Sequence, residues 1–397
     1  MKFSSLRSHY KNVHIITHND LDGYGCGEVL INLLKNTLGF SEESILITYT
    51  DYSNPLPFYD DDEFVIISDI SISNKEDAQK IINFNSMPNS LVFWIDHHQS
   101  SINLYPFYPK LKDIYGIRNT DACGTLLCWI MEQFITLVYA NNACEESIAT
   151  INTRLNTCNV YDIANSDNEP VMIWNNHYSV IPESIRLVDD YDRFRLKYND
   201  SIYLNAAFYL YPDFSKYFMK MNNGTTKLIK IGKKIYYWRK IIYLNELKEH
   251  GFIASLPIEG MQDIDMICLN SGYRSSLLFG NSFGVSDDNH RRYNYGCIFN
   301  CSGNKTTVSI YCANPEVVSE SKRRIGKIYS AIDICKRYNG GGHPGAAGFV
   351  IKDGMIDFCQ IRSIPSAVID TINNDIAECY QILNEGAQND SIYRWFI

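Results

Sequence analysis

The chain has 397 residues, longer than one ordinary domain, so two domains are expected, each able to bury its own core. Its 45% hydrophobic and 20% charged residues are those of a globular protein and exclude a disordered or fibrous one. A net charge of −9 argues against an extended face for long duplex DNA, which needs many Lys and Arg contacts to phosphates. A small phosphate substrate stays open, because acids gathered around divalent cations would account for part of that balance. The twelve cysteines are scattered without a Cys-x-x-Cys pair, as expected of reduced, buried thiols in a cytoplasmic protein with no zinc-thiolate site. No apolar leader and no membrane span is read, and pairing into a homodimer is left open.

In chain order, the first half repeats a short apolar run ending in polar residues and followed by a helical pattern, which is α/β grammar. Val13 to Thr17 predicts a strand, His18 to Gly27 a polar turn, and Val29, Leu30, Leu33 and Leu34 a helix. Further strands are predicted at Phe64 to Ser68, Leu91 to Ile95 and Ile185 to Val188, each ending at acids or imidazoles. Parallel strands buried on both faces read as continuous apolar runs, and ligands bind at their carboxyl ends, so four such ends would converge on one site. Residues 213–252 are Lys-rich and helical, with Leu228, Ile231, Ile235 and Trp238 at helical spacing, and are taken as a connector. A smaller mixed α/β domain is expected over 253–352, including a strand at Thr306 to Cys312, and a helical tail over 353–397.

In T-H-N-D-L-D-G, His18, Asp20 and Asp22 lie two apart on a turn, where an imidazole and two carboxylates can face one point. That mixture suits a divalent cation, manganese in particular with magnesium as the alternative, although an Asx-type turn capping the next helix is an equal reading. In W-I-D-H-H-Q, Asp96, His97 and His98 follow an apolar strand, so one imidazole can bind metal while the other faces a phosphate. Asp69, in I-I-S-D-I-S, is by itself a helix-cap candidate. In L-V-D-D-Y-D-R-F, counting from the strand favours Asp190 as a ligand and the following aromatic favours Asp192, while Asp189 reads as structural. In R-Y-N-G-G-G-H-P-G, Gly340, Gly341 and Gly342 can form an anion-binding nest to which His343 adds a donor, or merely a tight turn.

Taken in this order, the motifs resemble the DHH phosphoesterase superfamily over about residues 10–352, and the G-G-G-H element resembles its DHHA1 subgroup. The opening H-N-D-L-D-G-x-G-C-G is most similar to nanoRNase B-type oligoribonucleases, which degrade very short RNAs from an end. The resemblance implies a DHH domain over 1–212 joined by the connector to a DHHA1 domain. It implies one metal on His18, Asp20 and Asp69 and a second on Asp22, Asp69, His97 and the late aspartate, with Asp69 bridging. His98 would contact the substrate phosphate, Asp96 would orient its neighbours, and the Gly340 to His343 loop would hold the terminal nucleotide. Two divalent cations would activate water for in-line attack on phosphorus. The implied substrate is short single-stranded RNA. Adenosine 3′,5′-bisphosphate and linear or cyclic dinucleotides are alternatives, and an inactive nucleotide-sequestering protein is the alternative from another class. Tyr24 departs from the pattern, standing where a small aliphatic residue is commoner, and the connector and tail are longer than usual.

Overall fold

The computed structural model describes residues 3–51, 55–57, 63–72, 74–140, 147–156, 171–174, 177–211, 213–218, 224–257, 264–272, 279, 293–312, 329–342, 345–354 and 356–385. It is α/β and divides into two compact units, Met1–Ile235 and Tyr236–Ile397.

The first unit is built on a four-stranded parallel sheet of β1 (Val13–His18), β2 (Ile45–Thr50), β3 (Phe64–Ser68) and β4 (Leu91–Ile95), in the order β2-β1-β3-β4. All five residues of β3 and of β4 are buried, as the continuous apolar runs predicted. Alternate residues feed two cores: Ile15, Phe64, Ile66 and Phe93 enter one, and Ile16, Val65, Ile67 and Trp94 the other. The chain places β2 on one side of β1 and β3 on the other. The carboxyl ends of β1 and β3 therefore diverge at a topological switch point, where an open parallel sheet leaves a crevice.

Among the helices of this unit are α1 (Leu21–Asn32), α2 (Lys75–Asn85), α3 (Gly124–Ala140), α4 (Glu183–Asp192) and α5 (Asn199–Leu210). The polar turn expected over 18–27 is shorter than read, because α1 already begins at Leu21 with Asp20 as its N-cap. The strand expected at Ile185 to Val188 is instead part of α4. A four-residue apolar run does not distinguish strand from helix; Ser184, Ile185, Val188 and Asp189 are buried at helical spacing after Pro182, and that face decided it. Only three of the four expected strand ends are therefore strands.

Helix α6 (Gly224–His250) runs through the division between the units, with Leu228, Ile231 and Ile235 buried and Trp238 39% exposed. The second unit carries a seven-stranded mixed sheet: β5 (Phe252–Leu256), β6 (Ile264–Asn270), β7 (Tyr295–Ser302), β8 (Lys305–Cys312), β9 (Gly341–Gly342), β10 (Ala346–Lys352) and β11 (Cys359–Arg362). Its order is β9-β10-β8-β7-β6-β5-β11, with β6 and β7 the parallel pair. The tail expected to be helical from 353 contains β11, which pairs antiparallel with β5 and completes the sheet. After it, helix α7 (Ser366–Glu385) buries Val368 and Ile372 in one core with Tyr243, Leu244 and Leu247. Among the described residues no helix is long and apolar enough to cross a membrane.

Candidate metal centre

Four chain segments, the ends of β1, β3 and β4 and the end of α4, deliver side chains to the site. At the end of β1, the His18 Nδ1 lies 2.8 Å from one Asp20 oxygen, while the other accepts from the Gly23 N–H at 2.9 Å. Asp20 is thus both the helix cap and a member of the cluster, so the two readings of this motif coexist. Gly23 is required here: a Cβ would stand 2.1 Å from the His18 carbonyl oxygen, so only glycine lets α1 start against the strand end. At the end of β3, Asp69 is buried and adopts φ +53°, a left-handed conformation costly for a residue with a side chain. At the end of β4, His97 Nε2 lies 3.1 Å from Asp69 Oδ1, 3.6 Å from Asp22 Oδ2 and 3.5 Å from Asp192 Oδ2.

Metal-ligating atoms fall into groups within 4.8 Å of one another: His18, Asp20 and Asp69; Asp22, His97 and Asp192; and Asp69, His97 and His98. Asp69 closes the gap between the first two, through His18 on one side (4.0 Å) and His97 on the other. Asp69 Oδ2 and Asp192 Oδ2 are buried atoms without a hydrogen-bond partner. Buried carboxylate oxygens of this kind are costly unless a cation or proton satisfies them.

The electrostatics agree. Burial first, then the charges of Asp22, Asp20 and Asp192, push the Asp69 carboxyl well above its ordinary range. Burial, then Asp22 and Asp20, do the same to Asp192. His97 is pushed down by burial, against the pull of Asp22, which favours the neutral ring that a metal needs. His98 behaves oppositely: burial lowers it, but the hydrogen bond and charge of Asp96 outweigh burial and raise it. Asp96 Oδ1 accepts from the His97 and His98 backbone N–H groups and lies 2.7 Å from His98 Nδ1, so this buried acid fixes the orientation of the ring.

The two acids left open by the sequence separate cleanly. Asp192 faces His97, whereas Asp190 accepts from the Lys197 and Tyr198 N–H groups and the Ser201 hydroxyl. Held by those three donors, Asp190 is in none of the groups of candidate metal-ligating atoms among the described residues, whereas Asp192 is in one. Asp189 accepts from the Cys123 N–H and pairs with Arg195, a structural role. In the second unit, Gly340 and Gly342 make close approaches in which a Cβ would meet the Gly348 oxygen and Ala347, and Gly341 is open. His343 lies outside the described residues.

The sequence reading missed the N-terminus of α3. The Gly124 and Thr125 N–H groups donate to the two Asp22 oxygens at 2.7 and 2.8 Å, and the Thr125 hydroxyl donates to the Asp22 carbonyl. A Cβ on Gly124 would come within 2.8 Å of Asp69 and 2.9 Å of Cys26 Sγ. The signal was a Gly-Thr pair opening a long apolar helix, but nothing local ties it to an acid a hundred residues earlier.

No family model and no curated protein matches the sequence. Solved structures give distant likenesses. One is a DHH domain from a protein described as a member of a family of ribosomal proteins, 12% identical with TM-score 0.45, covering 96% of this chain and 88% of that one. Another is RecJ in complex with Mn2+ from Thermus thermophilus, 12% identical with TM-score 0.41, covering 95% of this chain and 53% of that one. A third is the pGpG-specific phosphodiesterase PggH from Vibrio cholerae, 13% identical with TM-score 0.33, covering 95% of this chain and 100% of that one. At these identities and scores the likenesses assign no activity, and the functional reading rests on the site itself.

Proposed function

We propose that this protein is a two-metal phosphoesterase of the DHH type. The carrying observation is the cluster of Asp20, Asp22, Asp69 and Asp192 with His18 and His97, in which Asp22 and Asp69 are buried and Asp69 Oδ2 and Asp192 Oδ2 are buried atoms with no hydrogen-bond partner. Carboxylates this close repel one another; at an effective dielectric of about 20, two unit charges 4 Å apart cost about 4 kcal/mol. Divalent cations remove that cost, and the mixed oxygen and imidazole donors suit manganese or magnesium. His18, Asp20 and Asp69 would hold one ion and Asp22, His97 and Asp192 the other, with Asp69 common to both. When bound, the ions supply a water activated for attack on phosphorus and neutralise the developing charge.

The chain's own residues do the rest. The α3 N-terminus holds both Asp22 oxygens and fixes that carboxylate in place. Asp96 orients His98, whose ring would donate to a non-bridging phosphate oxygen. The resemblance of the H-N-D-L-D-G-x-G-C-G opening supports short single-stranded oligoribonucleotides as substrates. The test is hydrolysis of end-labelled RNAs, from dinucleotides upward, in Mn2+ or Mg2+, beside adenosine 3′,5′-bisphosphate and cyclic dinucleotides. Stepwise release of mononucleotides, fastest from the shortest RNAs, is expected. A preference for the bisphosphate or cyclic dinucleotides would replace the substrate assignment, and no turnover of any with either metal would refute the phosphoesterase.

A further inference from the structure

The first unit contains a cavity of about 400 Å³ lined by Tyr24, Phe208, Tyr209, Tyr211, Phe214 and Ser215, among others. Its wall begins on the helix that carries the acids. Tyr24 lies in the first turn of that helix, its N–H donating at 2.9 Å to the carbonyl of the N-cap Asp20. Tyr24 also stacks on Tyr49 (6.1 Å, 16° between planes), near the carboxyl end of β2. The register pairs Tyr49 with Thr17 and Thr50 with His18, which places this ring beside the end of β1 from which His18 reaches the metal-ligating group.

Aromatic packing alone leaves part of this surface unused. Phe214 is buried, but Tyr209 and Leu210 in the same lining are 55% and 49% exposed, an open wall of large apolar side chains. The volume lies within the range of small-molecule sites, with aromatic walls that also carry the hydroxyls of Tyr24, Tyr209, Tyr211 and Ser215.

We propose that this cavity is a nucleobase subsite, in which the base of the nucleotide whose phosphate lies at the metal centre stacks among Tyr24, Phe208 and Tyr209. The proposal rests on the phosphoesterase reading for the nature of its occupant. Stacking on π-faces tolerates every base, so the subsite would recognise a nucleoside without fixing its sequence. It also gives Tyr24 a role at the position where this chain departs from the small aliphatic residue.

The test is calorimetric titration of the full chain with AMP and with ribose 5-phosphate, for the wild type and for Tyr24→Leu, Tyr24→Phe and Tyr209→Ala. AMP should bind the wild type about 5- to 150-fold tighter than ribose 5-phosphate, the range of one base–aromatic stack. Tyr24→Leu and Tyr209→Ala should lose most of that ratio, Tyr24→Phe should keep it, and ribose 5-phosphate affinity should stay unchanged in all three. A wild-type ratio near one, no AMP binding at all, or a ratio that survives both Tyr24→Leu and Tyr209→Ala would overturn the subsite. Because the readout is binding, a chain that discriminates AMP but hydrolyses nothing would sink the phosphoesterase and leave the subsite standing. A chain that hydrolyses RNA without preferring AMP would do the reverse.

Discussion

Replacing Asp69 by asparagine separates a metal ligand from a structural acid. The residue is buried, lies 3.1 Å from His97, and carries an oxygen without a partner among the carboxylates of Asp20, Asp22, Asp96 and Asp192. Its raised carboxyl sets the sign. Stability from a raised acid is present below the unfolded value and lost as pH rises through the folded one, so the metal-free site opposes folding at neutral and alkaline pH. Asparagine keeps the shape and removes the charge, so the metal-free variant should melt no lower than the metal-free wild type at pH 8. Cations that bind only the folded state stabilise it by about 2.7 kcal/mol at a hundred times the dissociation constant. For a unit of the size of Met1–Ile235, each kcal/mol raises the melting temperature by about 2–4 °C, so Mn2+ or Mg2+ should add about 5–11 °C to the wild type. Asp69→Asn should lose most of that rise. Scanning calorimetry after chelator treatment, with and without each metal, reads all four states. An undiminished rise in the variant, or a metal-free variant that melts far below the wild type, would refute the reasoning.

The two late acids should fail in opposite ways. Asp192→Asn should lower turnover by about two orders of magnitude or more with little change in urea midpoint, in line with the loss of a group acting on the reacting centre. Asp190→Ala should instead cost about 2–4 kcal/mol of stability by stripping three donors of their acceptor, and its folded fraction should turn over normally. Gly124→Ala should cost about 1–3 kcal/mol by overpacking against Asp69 and Cys26, with weaker metal binding in the same titration. Asp189 is pushed up to about 6, chiefly by burial, so stability should fall as pH rises from about 4 through about 6, by roughly 3 kcal/mol. Asp189→Asn should flatten that fall in urea titrations across pH, and a parallel fall in both proteins would contradict it.

The sequence by itself determined three of the four strands of the first unit's sheet and the acids and imidazoles at their ends, but not β2. β1, β3 and β4 are continuous apolar runs because they are buried on both faces, and each ends where His18, Asp69 and Asp96–His97 leave the strand. Those residues are legible because a strand end fixes which neighbour turns toward the crevice. Tertiary structure decided the remainder. Ile185 to Val188 became helical because packing, not its four-residue run, selected the period, and the helix then turned Asp192 toward His97 and Asp190 toward Ser201. The left-handed backbone of Asp69 is set by its surroundings against local preference. β11 joins the second sheet only through a partner more than a hundred residues earlier. The grip of Gly124 and Thr125 on Asp22, and the meeting of Tyr24 with Phe208 and Phe214, also join distant segments. Periodicity and turn chemistry act over a few residues, whereas these contacts exist only once the chain has closed on itself.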